Sequence, residues 1–242
     1  MEKSAGATDS HPRFTGVRTC VFDAYGTLFD VNSASMRLQS RLGDSAARLA
    51  ALWRDKQLQY TWLRTVQGRH ADFAQVTRDA LMHALQALGL DLALAGELLA
   101  AFNALDVFPE VPQVLRQLRT AGYGTAILSN GTAAMLCALL EHAGIAGLFD
   151  DVYSVDAVGA FKPDPRVYQI PGVRLALRPE QICFVSSNAW DAHGASAFGM
   201  RVVWCNRRSQ VADRLPGAPD AEVHSLAELA PLLPAAAQRA HT

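Results

Sequence analysis

Several things are scarce in these 242 residues, and each scarcity argues against a class of protein. Cysteine occurs four times, at Cys20, Cys137, Cys183 and Cys205, with no Cys-x-x-Cys and no spacing that suggests zinc. That points away from a disulfide scaffold and towards a reducing cytoplasm. The seven histidines form no ligand-spaced pair, so a histidine-based metal site is not expected. An excess of one charge is missing too: 22 Lys and Arg against 23 Asp and Glu leave a formal net charge of −1. A nucleic-acid binder or a protein of the membrane surface would normally carry a basic stripe. No apolar run approaches the length needed to cross a bilayer. Residues 1–13 are small and polar, without the apolar segment of a secretory signal, and read as a disordered leader. There is no internal repeat.

Apolar residues, in contrast, make up 50% of the chain, enough to bury the core of one large or two modest domains. The most informative stretch is Thr19 to Val31. Its apolar run, Cys20-Val21-Phe22, reads as a buried strand that stops at a carboxylate, Asp23. Gly26 then loosens the backbone and Thr27 supplies a hydroxyl, as expected where a strand opens into a loop. The carboxyl end of a central strand is where α/β sheets bind ligands. Asp23 is therefore either a placed nucleophile or metal ligand beside the free amides of Ala24 and Tyr25, or a residue that caps the turn.

After Val31 the strand pattern vanishes for some eighty residues. Helical spacing runs from Ser45 to Val66 (Leu49, Trp53, Tyr60, Leu63), from Asp72 to Leu88 with Gly89 as C-cap, and from about Ala93 to Leu105. This insert reads as a separate helical cap, left through Phe108-Pro109-Glu110-Val111-Pro112. Helix and strand then alternate. Helices are expected over 114–121, 133–142 and 164–177, and strands over 125–128, 152–155, 182–185 and 202–204. Pro171-Gly172 should kink or interrupt the helix that contains it. The remainder is a Pro/Ala-rich tail with one amphipathic segment, Leu226, Leu229, Leu232 and Leu233. Such alternation predicts an α/β fold, a doubly wound parallel sheet with helices on both faces. The boundaries are a core of 14–32 and 110–235 and a cap of 33–109.

The sheet would bring four polar clusters to one edge beneath the cap: Asp23, Ser129-Asn130, Lys162 and Ser186 to Asp191. One such turn says little; four together point to a site.

Asp23-Ala24-Tyr25-Gly26-Thr27-Leu28, Ser129-Asn130-Gly131, Phe161-Lys162-Pro163 and Ser187-Asn188-x-x-Asp191 resemble, in order, the four motifs of the haloacid dehalogenase (HAD) superfamily. Ala51 to Leu58, Tyr60 to Leu63 and Phe184 to Asp191 resemble more closely its L-2-haloacid dehalogenases (type II). The resemblance runs from about Val17 to Asn206 and implies a Rossmann-like HAD core. Phosphatases of this superfamily resemble Asp-x-Asp, whose second acid protonates an alkoxide leaving group. Tyr25 stands there instead, and a halide leaves without a proton. Asn188 occupies the place of the first acid that would hold magnesium, so neither metal nor cofactor is expected.

The chemistry implied by the resemblance is nucleophilic. Asp23 attacks C2 of a small 2-haloacid in line with the departing halide, forming an ester and inverting the centre. Thr27 orients Asp23, and Lys162 keeps it ionised. Ser129 with the Ala24 and Tyr25 amides holds the substrate carboxylate. Arg54, Asn130 and Trp190 cradle the chloride or other halide. Asp191, oriented by Asn188, Ser186 and Lys162, activates the hydrolytic water. Tyr25, Leu58, Phe73, Trp190 and Tyr168 form apolar walls. Taken alone, Arg54 could be a solvated helix charge, Lys162 a surface lysine before proline, Asp191 a helix cap, and Phe73 and Leu58 plain core. Asp55 beside Arg54 departs from the uncharged neighbour of the family pattern, although adjacent helical residues do not face each other.

The resemblance also implies a homodimer paired through the caps, with no nucleic-acid or membrane partner. Two readings compete with the (S)-2-haloacid dehalogenase. One is a HAD phosphatase or a hydrolase of another 2-substituted acid, such as fluoroacetate or azetidine-2-carboxylate. The other is a non-catalytic carboxylate binder.

Overall fold

A computed structural model describes residues 12–234. Most of the expected leader lies outside the described residues; its end turns as a short 3-10 helix, Pro12–Phe14, whose Phe14 side chain is buried. The sheet is built around β1 (Thr19–Phe22), all four residues of which are buried. It is flanked by β4 (Gly124–Ser129) and β6 (Ile182–Ser186). Beyond these lie β5 (Asp151–Ser154) on one side and β7 (Arg201–Cys205) and β8 (Ala221–Val223) on the other. The order is β5-β4-β1-β6-β7-β8, every pairing parallel. Phe22 lies opposite both Ile127 and Val185, so the three central strands end at one level. Parallel strands joined by helices are covered on both faces, which is why these segments are unbroken apolar runs rather than alternating ones.

The covering helices are α6 (Val111–Thr120), α7 (Ala133–His142), α8 (Pro165–Leu175) and α9 (Ala189–Phe198). Between β1 and β4 the chain makes the helical insert: α1 (Ser33–Met36), α2 (Gln39–Leu42), α3 (Ser45–Val66), α4 (Phe73–Ala87) and α5 (Ala95–Phe102). Asp72 caps α4 by accepting from the Gln75 amide. Two short strands, β2 (Phe29–Asp30) and β3 (Asp106–Val107), pair antiparallel at the entry and exit of the insert. At this doorway Arg207 lies over the Phe108 ring at 3.7 Å and donates to Glu110 and to the Thr27 carbonyl.

Three differences from the sequence reading have physical causes. β2, β3 and β8 are two or three residues long, too short to carry a periodic signal; β8 extends the sheet into what reads as tail. In that tail a short 3-10 helix (Leu226–Glu228) and α10 (Leu229–Leu232) bury Leu226, Leu229 and Leu233. Pro171 does not break its helix: α8 runs through it. The ring lies on the same buried stripe as Val167 and Tyr168, and this burial offsets the hydrogen bond that proline cannot donate.

Candidate active site

The site lies just past the carboxyl ends of β1, β4 and β6. Asp23 is the first residue after β1, its backbone fixed by donation to the Val185 carbonyl at 2.9 Å. Both carboxylate oxygens are held by donors. Lys162 Nζ lies 3.1 Å from Oδ1, while Thr27 Oγ1 (3.1 Å) and Asn188 Nδ2 (2.9 Å) donate to Oδ2. The turn that brings Thr27 back depends on Gly26, at φ +90°, a conformation costly for any residue with a Cβ. The Ala24 and Tyr25 amides make no hydrogen bond among the described residues. Two unpaired N–H groups beside a carboxylate form a natural cradle for an anion.

Lys162 is buried and divides its ammonium between two carboxylates, donating to Asp191 Oδ2 at 2.9 Å as well as to Asp23. It also sits over the Phe184 ring, 4.8 Å from the centroid. Asp191 is fully buried in the first turn of α9. Burial raises its pKa to about 6, and Asp23 adds to the rise; Lys162 and the Tyr168 hydroxyl pull it down. A carboxyl group poised near neutrality suits a general base.

Asp191 is held only in part as the sequence suggests, with Lys162 in the expected place. Its second partner is Tyr168, whose hydroxyl donates to Oδ1 at 2.8 Å; Ser186 and Asn188 do not touch the carboxylate. Ser186 Oγ instead accepts from the Asn188 amide, and the Asn188 side chain turns to Asp23. Tyr168 is completely buried beneath Asp191 and is not a pocket wall. Gly194 makes room for it, since a Cβ there would stand 2.6 Å from the phenolic oxygen. Phe73 is also no wall. It is buried behind Tyr25, with ring centroids 5.2 Å apart, in a stack continued by Phe102. Burial raises the pKa of Tyr25 well beyond its ordinary value, so its ring stays neutral.

Asn130 accepts the Lys162 amide through Oδ1, which leaves its Nδ2 to face outward. Ser129 Oγ accepts from the Gly131 amide and retains its proton for another acceptor. Arg54 reaches across from α3 to the sheet, donating to Asn188 Oδ1 at 3.2 Å and the Tyr25 carbonyl at 3.4 Å, and to Gln57 Oε1 at 2.8 Å. All three acceptors are neutral. Burial lowers the Arg54 pKa, and the Asp23 and Asp191 carboxylates oppose that shift. Asp55 is exposed and makes no ion pair with Arg54. A cavity of about 540 Å³ opens here, lined by Arg54, Leu58, Asn188 and Trp190 among others. Trp190 packs edge-on against Trp62, 5.4 Å between centroids.

Magnesium would need oxygen donors. Here both oxygens of Asp23 face N–H or O–H donors, and Asn188 turns its NH₂ rather than its oxygen to the site. These residues do not fit a resident divalent cation. Among the described residues, no group of three or more His, Cys, Asp or Glu could hold a metal ion, and no helix is long and apolar enough to cross a membrane.

A parallel sheet of this order, with helices inserted after its first strand and a buried Asp–Lys–Asp set on its carboxyl edge, defines a Rossmann-like α/β protein with a carboxylate at the centre of its site. The chain belongs to the haloacid dehalogenase-like hydrolases, whose family model matches residues 17–199. It is 45% identical over 219 residues to (S)-2-haloacid dehalogenase 1 of Pseudomonas sp. (strain CBS-3), covering 90% of this chain and 96% of that protein. With (S)-2-haloacid dehalogenase 4A of Burkholderia cepacia it shares 44% over 219 residues, 90% of this chain and 95% of the relative. The solved L-2-haloacid dehalogenase of Xanthobacter autotrophicus with chloropropionic acid covalently bound superposes with a TM-score of 0.84 at 37% identity, over 89% of this chain and 98% of that one.

Proposed function

We propose that the chain is a metal-independent (S)-2-haloacid dehalogenase, converting short L-2-haloacids to D-2-hydroxyacids. The observation that carries this reading is the shared ammonium of Lys162, which leaves one carboxylate at a strand end beside two free amides and a second, fully buried one near neutrality.

An Asp23 oxygen bonds to C2 of the substrate from the face opposite the halogen, and the halide departs with the bonding pair. Donors at both Asp23 oxygens hold the carboxylate in place. The substrate carboxylate rests on the Ala24 and Tyr25 amides and the Ser129 hydroxyl. Arg54, with no carboxylate partner among the described residues, receives the halide with Asn130 and the edge of Trp190; Leu58 and Trp190 bound the alkyl group. Asp191 takes a proton from water, whose oxygen attacks the Asp23 carbonyl carbon. The acyl–oxygen bond breaks, Asp191 returns its proton to the departing alkoxide so that the hydroxyacid leaves, and Asp23 releases the remaining water-derived proton to solvent and is regenerated as a carboxylate. Residues 33–109 act as the cap that carries Arg54 to the site.

Two further readings are our own. The protein works in the cytoplasm, which its four unpaired cysteines suit. It forms homodimers through α3, where Trp62, Leu63 and Val66 are exposed, and light scattering tests this.

The decisive experiment is halide release from L-2-chloropropionate in excess EDTA. Release supports the dehalogenase. Magnesium-dependent phosphate release from an aryl phosphate, without halide release, overturns it in favour of a phosphatase; neither activity leaves a binder.

A further inference from the structure

Gln57 is an amide where a helix facing its partner should carry an apolar side chain. It lies on the buried stripe of α3 with Leu49, Ala50 and Trp53, and is 1% exposed. Burying an amide is costly unless both ends are bonded. Its Nε2 donates to Thr77 Oγ1 on α4 at 2.8 Å, and its Oε1 accepts from Arg54 Nη1 at 2.8 Å. Among the described residues Arg54 is the sole partner of that oxygen, so packing alone does not account for the amide.

Thr77 makes a second bond to the same turn: its carbonyl accepts from Trp53 Nε1 at 2.9 Å. Trp53 and Gln57 lie one residue before and three residues after Arg54. A single residue of α4 therefore pins both sides of the turn that carries the guanidinium, and Gln57 then grips the guanidinium itself. A long, flexible arginine loses much rotamer freedom when an anion orders it. Held by a fixed neutral acceptor, Arg54 meets that cost before the substrate arrives, and keeps its full charge for the ligand.

We propose that Gln57 and Thr77 are positioning residues that fix Arg54 for the departing halide, a role that rests on the dehalogenase reading above. Gln57→Met removes the acceptor at similar volume, and Thr77→Val removes the hydroxyl at similar shape, whereas Thr77→Ser keeps it.

The measurements are kcat and KM for L-2-chloropropionate and the inhibition constant of bromide. Losing one charge-assisted bond predicts that Gln57→Met weakens bromide inhibition and lowers kcat by about tenfold each, with KM changed less. Thr77→Val should follow in the same direction and Thr77→Ser should restore both constants. Gln57→Glu keeps an acceptor for Arg54, turns the Thr77 contact into one in which the threonine hydroxyl must donate, and sets a negative charge against Arg54, so it should weaken bromide inhibition more than Gln57→Met does. Wild-type bromide inhibition and kcat in folded Gln57→Met, or in Thr77→Val should the first variant not fold, overturn the inference and leave the dehalogenase standing. Absence of halide release by the wild type overturns both.

Discussion

The hydroxyl of Tyr168 donates to Oδ1 of Asp191 at 2.8 Å, from a helix interrupted in sequence by proline but not in space. That bond and the one from Lys162 restrain a carboxyl group whose burial drives its pKa up to about 6. The proposed base must be ionised to accept a proton during ester hydrolysis, so kcat should fall as pH drops through about 6. Stability runs the other way. The folded carboxyl holds a proton between its ordinary 3.8 and about 6 that the unfolded chain has released, so this group's contribution falls as pH rises through that window. A kcat profile whose acid limb lies well below pH 5 would count against Asp191 as the base.

Tyr168→Phe should move that limb to higher pH. The substitution deletes a donor that favours the ionised form and leaves the aromatic packing against Phe184 and Phe198 in place. We expect kcat at pH 7 to fall by about tenfold, the scale of one hydrogen bond to a charged group. A pH–rate series decides it; an unmoved limb means that the bond has no effect on ionisation.

Gly194→Ala should reproduce the Tyr168→Phe phenotype by steric means. The new methyl would stand 2.6 Å from the Tyr168 oxygen and 2.9 Å from Pro163 Cβ, so something must shift. Overpacking of this kind costs about 1–3 kcal/mol, readable by urea unfolding. In the double variant the phenolic oxygen is gone, and the two costs should sum to less than their separate values. Simple additivity would place the clash elsewhere.

Lys162→Met should abolish halide release and destabilise the protein most at neutral pH. Without the ammonium, two buried carboxylates face each other unpaired, a loss of about 3–5 kcal/mol for a broken buried pair. The deficit should shrink as pH falls from 8 towards 6, because without the Lys162 charge Asp191 takes up its proton above pH 6. Urea midpoints at pH 5 and pH 8 test this, and equal losses at both would contradict it.

Asp23→Asn should eliminate turnover with the fold intact, by circular dichroism and halide assay. Asp191→Asn should slow hydrolysis of the ester more than its formation. Mass spectrometry of that variant with L-2-chloropropionate should then find a covalent adduct on the peptide containing Asp23. An adduct elsewhere, or none, speaks against the two-step scheme.

The sheet was legible because parallel strands buried on both faces are written as apolar runs, as in Ile182-Cys183-Phe184-Val185. Asp23 and the 129–130 and 186–191 clusters could be found because each follows such a run. Lys162 follows no strand directly, and its motif marked it. The orientation of Asp191 was harder to foresee. Tyr168 belongs to a helical stripe, where an aromatic residue reads as core or wall, and nothing in its spacing says that a hydroxyl will meet a carboxylate on another helix. The short clearance at Gly194 was the available hint, visible only once α8 and α9 pack. Gln57 and Thr77 are opaque for the same reason, since buried polar partners on two helices leave no periodic trace. Ser186 and Asn188 were both expected to orient Asp191; Asn188 turns to Asp23 and Ser186 accepts its amide, because sequence gives neighbourhood but not direction.

The pairing of Phe29 with Val107 sets the chain's departure from the sheet beside its return. What lies between leaves and returns at one doorway, and meets the core again through Arg54, through Trp62 on Trp190 and through Phe73 and Phe102 on Tyr25. Lengthening such an excursion is cheap, about 0.6 kcal/mol for each doubling. Extra turns or whole helices could thus be grafted into that interval with little penalty to the strands below. A graft must still deliver the Arg54 guanidinium to Asn188, with the Gln57 and Thr77 contacts that hold it and the Phe73 and Phe102 packing on Tyr25; the remaining length is open to redesign for bulkier acids.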